Sequence, residues 1–163
     1  MGTNAITFHL PDKEKQSIIF GIQIGVPVPV DGFPKDERIS IDSMALVDTG
    51  STGSCISRRF AVSAQLRAYK RSKIRGFHGT SIVPVYSVNV LLPNGILFTN
   101  MDVAEFQSNN NFDFIIGMNI LRMGDMALTN AKNEMVFSFR IPPSETHIDF
   151  VKEEKNKQST TLP

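Results

Sequence analysis

The sequence predicts an all-β fold with one or two short helices. Three observations carry that prediction. Apolar residues cluster in short runs rich in Ile, Val and Phe, such as Ile18-Ile19-Phe20-Gly21-Ile22-Gln23-Ile24, the composition that suits a pleated surface. Asn94-Gly95, after Pro93, separates two such runs, and Asn-Gly is the residue pair that a tight hairpin turn favours. Helical spacing of apolar residues is confined to two short stretches.

Taken in order, residues 5–10 read as a first strand and residues 11–16 as a charged turn. Residues 18–26 form a β-branched strand, followed by a loop punctuated by Pro27, Pro29, Gly32 and Pro34. Residues 39–47 alternate in polarity and then become uniformly apolar, as in a strand covered on both faces. Residues 57–66 suit a short helix, with Ser57 as N-cap and Phe60, Ala61 and Ala64 at helical spacing. Lys70, Arg71, Lys73 and Arg75 make a basic run, read first as a solvated strand edge whose charges discourage pairing. Gly76-Phe77-His78-Gly79 forms a hairpin tip, and residues 83–92 and 96–106 pair around the Asn-Gly turn. Residues 112–116 make a buried strand and Gly117 opens a short helix. Residues 127–129 and 135–139 form a last hairpin.

The chain has 163 residues, 41% of them hydrophobic, enough for one domain with tails. Its divisions are residues 1–16, a strand and turn; 17–151, the domain; and 152–163, a polar tail with little to bury that is expected to be disordered. A formal net charge of +1 gives no bulk field toward nucleic acid or membrane. The lone cysteine, Cys55, rules out an intrachain disulfide and reads as a buried structural thiol. His9, His78 and His147 lack ligand spacing, so no metal and no cofactor are expected. No secretory signal and no apolar run near the ~20 residues of a membrane helix are visible, and the expected location is cytoplasmic.

One stretch carries chemistry. In Ala45-Leu46-Val47-Asp48-Thr49-Gly50-Ser51 an apolar strand ends in an acid, where an unpaired charge is costly and is tolerated chiefly for a task. A phosphatase of the haloacid-dehalogenase type needs a second aspartate two positions on, where this chain has Gly50. A metal site needs more ligands than Asp42, six residues away. The plain alternative is an aspartate that caps a turn.

Val47-Asp48-Thr49-Gly50-Ser51, the Gly76–Gly79 hairpin and Phe114-Ile115-Ile116-Gly117-Met118-Asn119-Ile120-Leu121 occur in that order. Together they resemble the retropepsin family of retroviral-type aspartic proteases, over residues 17–141. The resemblance implies a retropepsin-like half-barrel assembled as a homodimer. It implies an endopeptidase acting on peptide or protein substrates with water activated by two aspartates that share a proton. Asp48 matches the catalytic aspartate, Thr49 the threonine that reaches the partner's loop, and Gly50 the glycine that lets substrate backbone approach. The motif occurs once, so the second aspartate must come from another chain.

Ser51 is expected to donate to the Asp48 carboxylate and lower the dyad's pKa, so that Ser51→Ala would raise the pH optimum. Gly76, Phe77, His78 and Gly79 match the flap over the substrate. Ile115 is expected to face the cleft, opposite Ile116. An ion pair of many viral members is absent, its positions holding Gly53 and Met118, which makes the chain more similar to cellular and bacterial relatives than to viral ones. Dimerisation is expected through an edge strand at 136–139, or through residues 5–10. The competing function is a dimeric binding or adaptor module of the same fold that cleaves poorly or not at all.

Overall fold

Phe20, Ile22 and Ile24 alternate with Gly21 and Gln23, and the fold buries the first set and exposes the second. The computed structural model describes residues 4–10, 17–25, 40–76, 79–107 and 111–160, with side chains through residue 156. Its strands are β1 (Ala5–Leu10), β2 (Ile19–Gly25), β3 (Ser40–Val47) and β4 (Cys55–Ser57), followed by helix α1 (Arg58–Ser63). Next come β5 (Lys70–Gly76), β6 (Gly79–Leu91), β7 (Leu97–Phe106), β8 (Phe114–Ile116) and helix α2 (Met118–Leu121). The chain ends in β9 (Asp125–Ala131), β10 (Glu134–Arg140) and helix α3 (Phe150–Thr160). The turn read at 11–16 and the loop read at 27–34 lie outside the described residues.

Seven strands follow one another in the order β2-β3-β8-β4-β7-β6-β5, and β2 also pairs with β6. That extra pairing, Gln23 to Leu91 through Gly25 to Asn89, closes six strands into a ring. β5 stays outside the ring. It pairs with the first half of β6, from Lys70 opposite Val85 to Gly76 opposite Gly79, while β7 begins pairing with β6 at Val85. The β5–β6 hairpin therefore projects from the barrel. On the strands of the ring, Ile24, Ile56, Val88, Val90, Val103 and Phe114 are fully buried, as is Ile120 of α2. This apolar burial is the main drive for closure.

β1, β10 and β9 form a second, antiparallel sheet in that order. Phe8 stacks on Phe20 with centroids 4.3 Å apart, and Phe20 lies 6.5 Å from Phe137, which fastens this sheet to β2. Lys132 and Asn133 both have positive φ (52° and 64°). That is the signature of a two-residue primed turn, whose twist matches the strands it joins. The hairpin is accordingly longer than its sequence pattern indicates.

Three elements depart from the sequence reading. β4 is a strand of three residues wedged between β7, parallel, and β8, antiparallel. It is too short to show a period, and in sequence it merges into the start of the helix. Residues 136–139 are not an edge, because β10 is the middle strand with β1 on one side and β9 on the other. Residues 150–160, read largely as tail, are helical, yet every described side chain of α3 is exposed. No described side chain of this 11-residue helix is buried, in keeping with its polar composition.

Candidate active site

β3 delivers Asp48 by ending between two partners. It runs antiparallel to β2 and parallel to β8, with Ala45, Leu46 and Val47 opposite Phe114, Ile115 and Ile116. At its exit the Asp48 amide donates to the Ile116 carbonyl (3.0 Å), so the catalytic candidate's backbone is anchored to β8. The chain then turns sharply: the Ser51 amide donates to the Asp48 carbonyl at 3.2 Å. Within that turn the Gly50 amide donates to Asp48 Oδ1 at 2.9 Å. This is the bond that an aspartate makes two residues ahead in a tight turn. It fixes the carboxylate without consuming it, since Oδ2 has no partner among the described residues.

A Cβ at Gly50 would lie 3.2 Å from Asp48 Oδ1, tighter than an ordinary contact, so the carboxylate oxygen that the turn holds would have to give by a few tenths of an ångström. Thr49 sits exposed at the turn, its hydroxyl without a partner among the described residues.

The Ser51 hydroxyl does not reach the carboxylate. It donates to the Gly53 carbonyl at 2.7 Å. A hydroxyl has one proton to give, so the expected tuning of the dyad by Ser51 is corrected: this side chain shapes the loop. The reason is geometric, since the turn that brings the Gly50 amide to Oδ1 carries Ser51 past it.

A second tier supports the loop, and sequence reasoning missed it. The Met118 amide donates to the Ser51 carbonyl at 2.8 Å. Ser54 Oγ accepts from the Gly117 amide (3.1 Å) and donates to Asn119 Oδ1 (2.8 Å). Ser54 is 1% exposed, a buried polar group fully paired. Gly117 closes the contact: a Cβ there would stand 2.5 Å from the Gly53 carbonyl oxygen. Gly53 and Met118, where an ion pair was expected in viral relatives, thus sit in a contact made of backbone groups. The only sequence signal was a buried-strand residue followed by small polar residues, which by itself does not name Ser54 or Asn119.

Phe114 and Ile116 are buried while Ile115 is half-buried on the other face of β8. Cys55, opposite Ile115 on β4, is also half-buried. Burial pushes its thiol up, as does the nearby Asp48 charge, and the Ser51 hydroxyl opposes that only in part. A thiol so shifted is a poor nucleophile.

Asp113 anchors the root of β8. Its amide donates to the Met44 carbonyl and its carbonyl accepts from the Ser57 amide. Its carboxylate accepts from Ser57 Oγ and Arg59 Nε. Burial pushes this carboxyl up, but the bonds from Arg59 and Ser57 and the Arg59 charge outweigh it and hold it below its ordinary value.

Gly76 and Gly79 face each other at the end of the projecting hairpin, and Gly79 has φ +109°, a conformation that side chains rarely adopt. Phe77 and His78 lie outside the described residues. A groove of about 610 Å³ is lined by Gly21, Gln23, Asp42, Met44, Pro93 and Asp113 among others, and by none of the Asp48 loop. Among the described residues no group of three or more His, Cys, Asp or Glu could hold a metal ion, and no helix is long and apolar enough to cross a membrane.

The family model described as "gag-polyprotein putative aspartyl protease" matches residues 41–123, just over half of the chain and the whole Asp48–Gly117 site. No curated protein matches. Among solved structures, a retropepsin-like aspartic protease from Rickettsia conorii is similar at 13% identity and a TM-score of 0.50, covering 85% of this chain and 95% of that one. The retroviral protease-like domain of Ddi1 from Leishmania major is similar at 22% identity and a TM-score of 0.37, covering 59% of this chain and 83% of that one. The simian foamy virus (mac) protease is similar at 12% identity and a TM-score of 0.38, covering 63% and 92%. The first of these shares the fold.

Proposed function

The chain belongs to the retropepsin-like gag-polyprotein aspartyl protease family, and from that premise we propose that it is an aspartic endopeptidase whose working unit is a homodimer. The observation that carries the reading is the Asp48 turn: a carboxylate at the end of a covered strand, one oxygen held by the Gly50 amide and the other unpartnered among the described residues. Each chain supplies one such aspartate, and two of them across a twofold axis form the dyad.

The chemistry follows from two carboxyls that share one proton. The ionised Asp48 takes a proton from a water molecule as its oxygen attacks the peptide carbonyl carbon. The protonated Asp48 of the second chain gives its proton to the carbonyl oxygen, so a neutral tetrahedral intermediate forms. Collapse breaks the C–N bond, and a proton passes to the departing amine. Like charges so close repel, which favours one proton shared between the two carboxyls. In this reading Thr49, exposed at the turn, meets the partner's loop, Ile115 faces the substrate, and the Gly76–Gly79 hairpin covers it.

The second sheet supports dimer formation. Ile6, Phe139 and Met126 share one row across it, and Phe8, Phe137 and Leu128 share the next. Phe139 and Phe137 are 3% and 2% exposed, whereas Met126 and Leu128 are 42% and 53% exposed. The core covers β1 and β10 and leaves β9 overhanging, with an apolar row and, among the described residues, an unpaired strand edge for a second copy.

Cleavage of a peptide library by wild type and Asp48→Asn, with a mass measurement in solution, tests the reading. Cleavage by the wild-type dimer alone supports it. Cleavage that survives in the variant removes the dyad, and a dimer that cleaves nothing at any pH leaves the adaptor reading.

A further inference from the structure

The β5 strand carries charge that the site does not use. Residues directly opposite one another in an antiparallel pair share a face. One face of the β5–β6 hairpin therefore holds Lys70, Ser72 and Ile74 with Val85, Val83 and Ser81; the other holds Arg71, Lys73 and Arg75 with Pro84, Ile82 and Thr80. The first face turns inward, where Val85 is buried, and its one cation, Lys70, is paired with Asp102 at 2.6 Å. The second face is different. Arg71, Lys73 and Arg75 are all exposed, Ile82 between them is 64% exposed, and no carboxylate pairs with any of the three among the described residues. Arg71 lies back over the hairpin, with Nη2 donating to the Ile82 carbonyl at 3.2 Å.

The same strand has an open edge. Among the described residues β5 pairs only with β6, and residues 79–84 of β6, before β7 joins at Val85, have β5 as their only strand neighbour. Of these two open edges, the one that carries the three cations is β5. Its outer main-chain groups match those of another extended chain. Three cations of one sign repel a second copy of β5, so the edge rejects self-pairing and admits a strand of complementary charge.

We propose that the outer edge of β5 is a docking strand for an extended acidic segment of a polypeptide, with Asp or Glu at every second position. The spacing decides the pattern. Alternate residues on a strand stand about 6.8 Å apart on one face, so acids at i, i+2 and i+4 of the added strand fall beside Arg71, Lys73 and Arg75. A peptide fits better than a nucleic acid, because the edge offers amide partners as well as charge and the chain as a whole carries only +1. The proposal rests on the reading of this chain as one that takes polypeptides, and it adds the class of sequence that the substrate presents away from the scissile bond.

The test is binding, measured apart from cleavage. Fluorescence anisotropy follows a labelled peptide with alternating Glu on full-length Asp48→Asn protein, with and without Arg71→Gln, Lys73→Gln and Arg75→Gln together. The alternating peptide binds, and the triple substitution weakens it about tenfold, the sum expected for three exposed ion pairs. A peptide of the same composition with its Glu residues contiguous binds more weakly, as does one N-methylated at alternate amides. Equal binding of the alternating and contiguous peptides, tighter binding of single-stranded DNA of equal charge, or no loss in a triple variant with a wild-type circular dichroism spectrum overturns the proposal. Library cleavage by the wild type reports separately on the peptidase reading.

Discussion

Asp48 is held by main-chain groups on both sides: its own amide on the Ile116 carbonyl and its Oδ1 on the Gly50 amide. Such bonds do not depend on any neighbour's side chain, which is why the residues that matter around it are glycines. Gly117→Ala tests that dependence. Its Cβ meets the Gly53 carbonyl at 2.5 Å, and backbone cannot swing aside as a side chain can. The variant loses about 1–3 kcal/mol in urea denaturation, and its activity falls with the displaced loop; an unchanged midpoint would show that β8 and the Asp48 loop are not in contact. Ser51→Ala gives the opposite pattern from the one its sequence position indicates. With its proton on the Gly53 carbonyl, loss of the hydroxyl costs about 1 kcal/mol of stability and leaves the pH optimum in place. A shifted optimum would put the proton back on the carboxylate. The contrast marks a limit of local reading. Ser57 was legible as an N-cap, and its Oγ does accept the Phe60 amide at 3.1 Å, because a cap is settled within four residues. The partner of Ser51 depends on how the turn folds, and the support from Ser54 and Asn119 joins positions 65 residues apart.

At the scale of elements, Asp113 links β8, β3 and the start of α1. Its carboxyl sits below the ordinary carboxylate value in the folded chain, so the unfolded state binds the proton more tightly. The stability this linkage contributes is complete above the ordinary carboxylate range and is lost as the pH falls through the lowered value. Asp113→Asn removes about 1.5–3 kcal/mol at neutral pH, the range for hydrogen bonds to a charged group, and flattens the acid limb of the stability curve. Urea midpoints across acid to neutral pH measure both effects, and a variant as acid-sensitive as wild type contradicts the assignment. The strands themselves were mostly legible, since β2 and the β6–β7 hairpin advertise their period and turn. β4 was not, being three residues long, and the place of β10 was not, because strand order in a sheet is decided by what packs against it. That order takes 136–139 off the edge and leaves two edges, β1, which is the other expected contact at residues 5–10, and β9; the exposed Met126 and Leu128 favour β9 as the proposed contact. Leu128→Glu puts a charge on the overhanging row opposite Phe137, and sedimentation shows monomer where wild type shows dimer, with cleavage lost in parallel. A dimer that persists in this variant places the interface elsewhere.

For the whole molecule, one Asp-Thr-Gly in 163 residues governs the account. The family and the fold are those of retropepsin-like aspartic proteases, and in a single chain the groove of about 610 Å³ does not include the Asp48 loop. The proposed cleft between two chains would account for both the single motif and the position of its aspartate. The order of motifs along the chain made the family legible before any geometry, and the single motif already pointed to a second chain; the strand order that bears on where two chains would meet was not legible. The most direct test of the shared dyad is a mixing experiment. Wild type at a fixed concentration is equilibrated with increasing Asp48→Asn protein, and cleavage is measured. Asn can neither take the proton from water nor give one to the carbonyl oxygen as a carboxyl does, so mixed dimers are inactive. Activity is predicted to fall steadily as the variant draws wild-type chains into mixed pairs. Activity that stays constant however much variant is added would show that one chain carries a complete site, and would contradict the dyad.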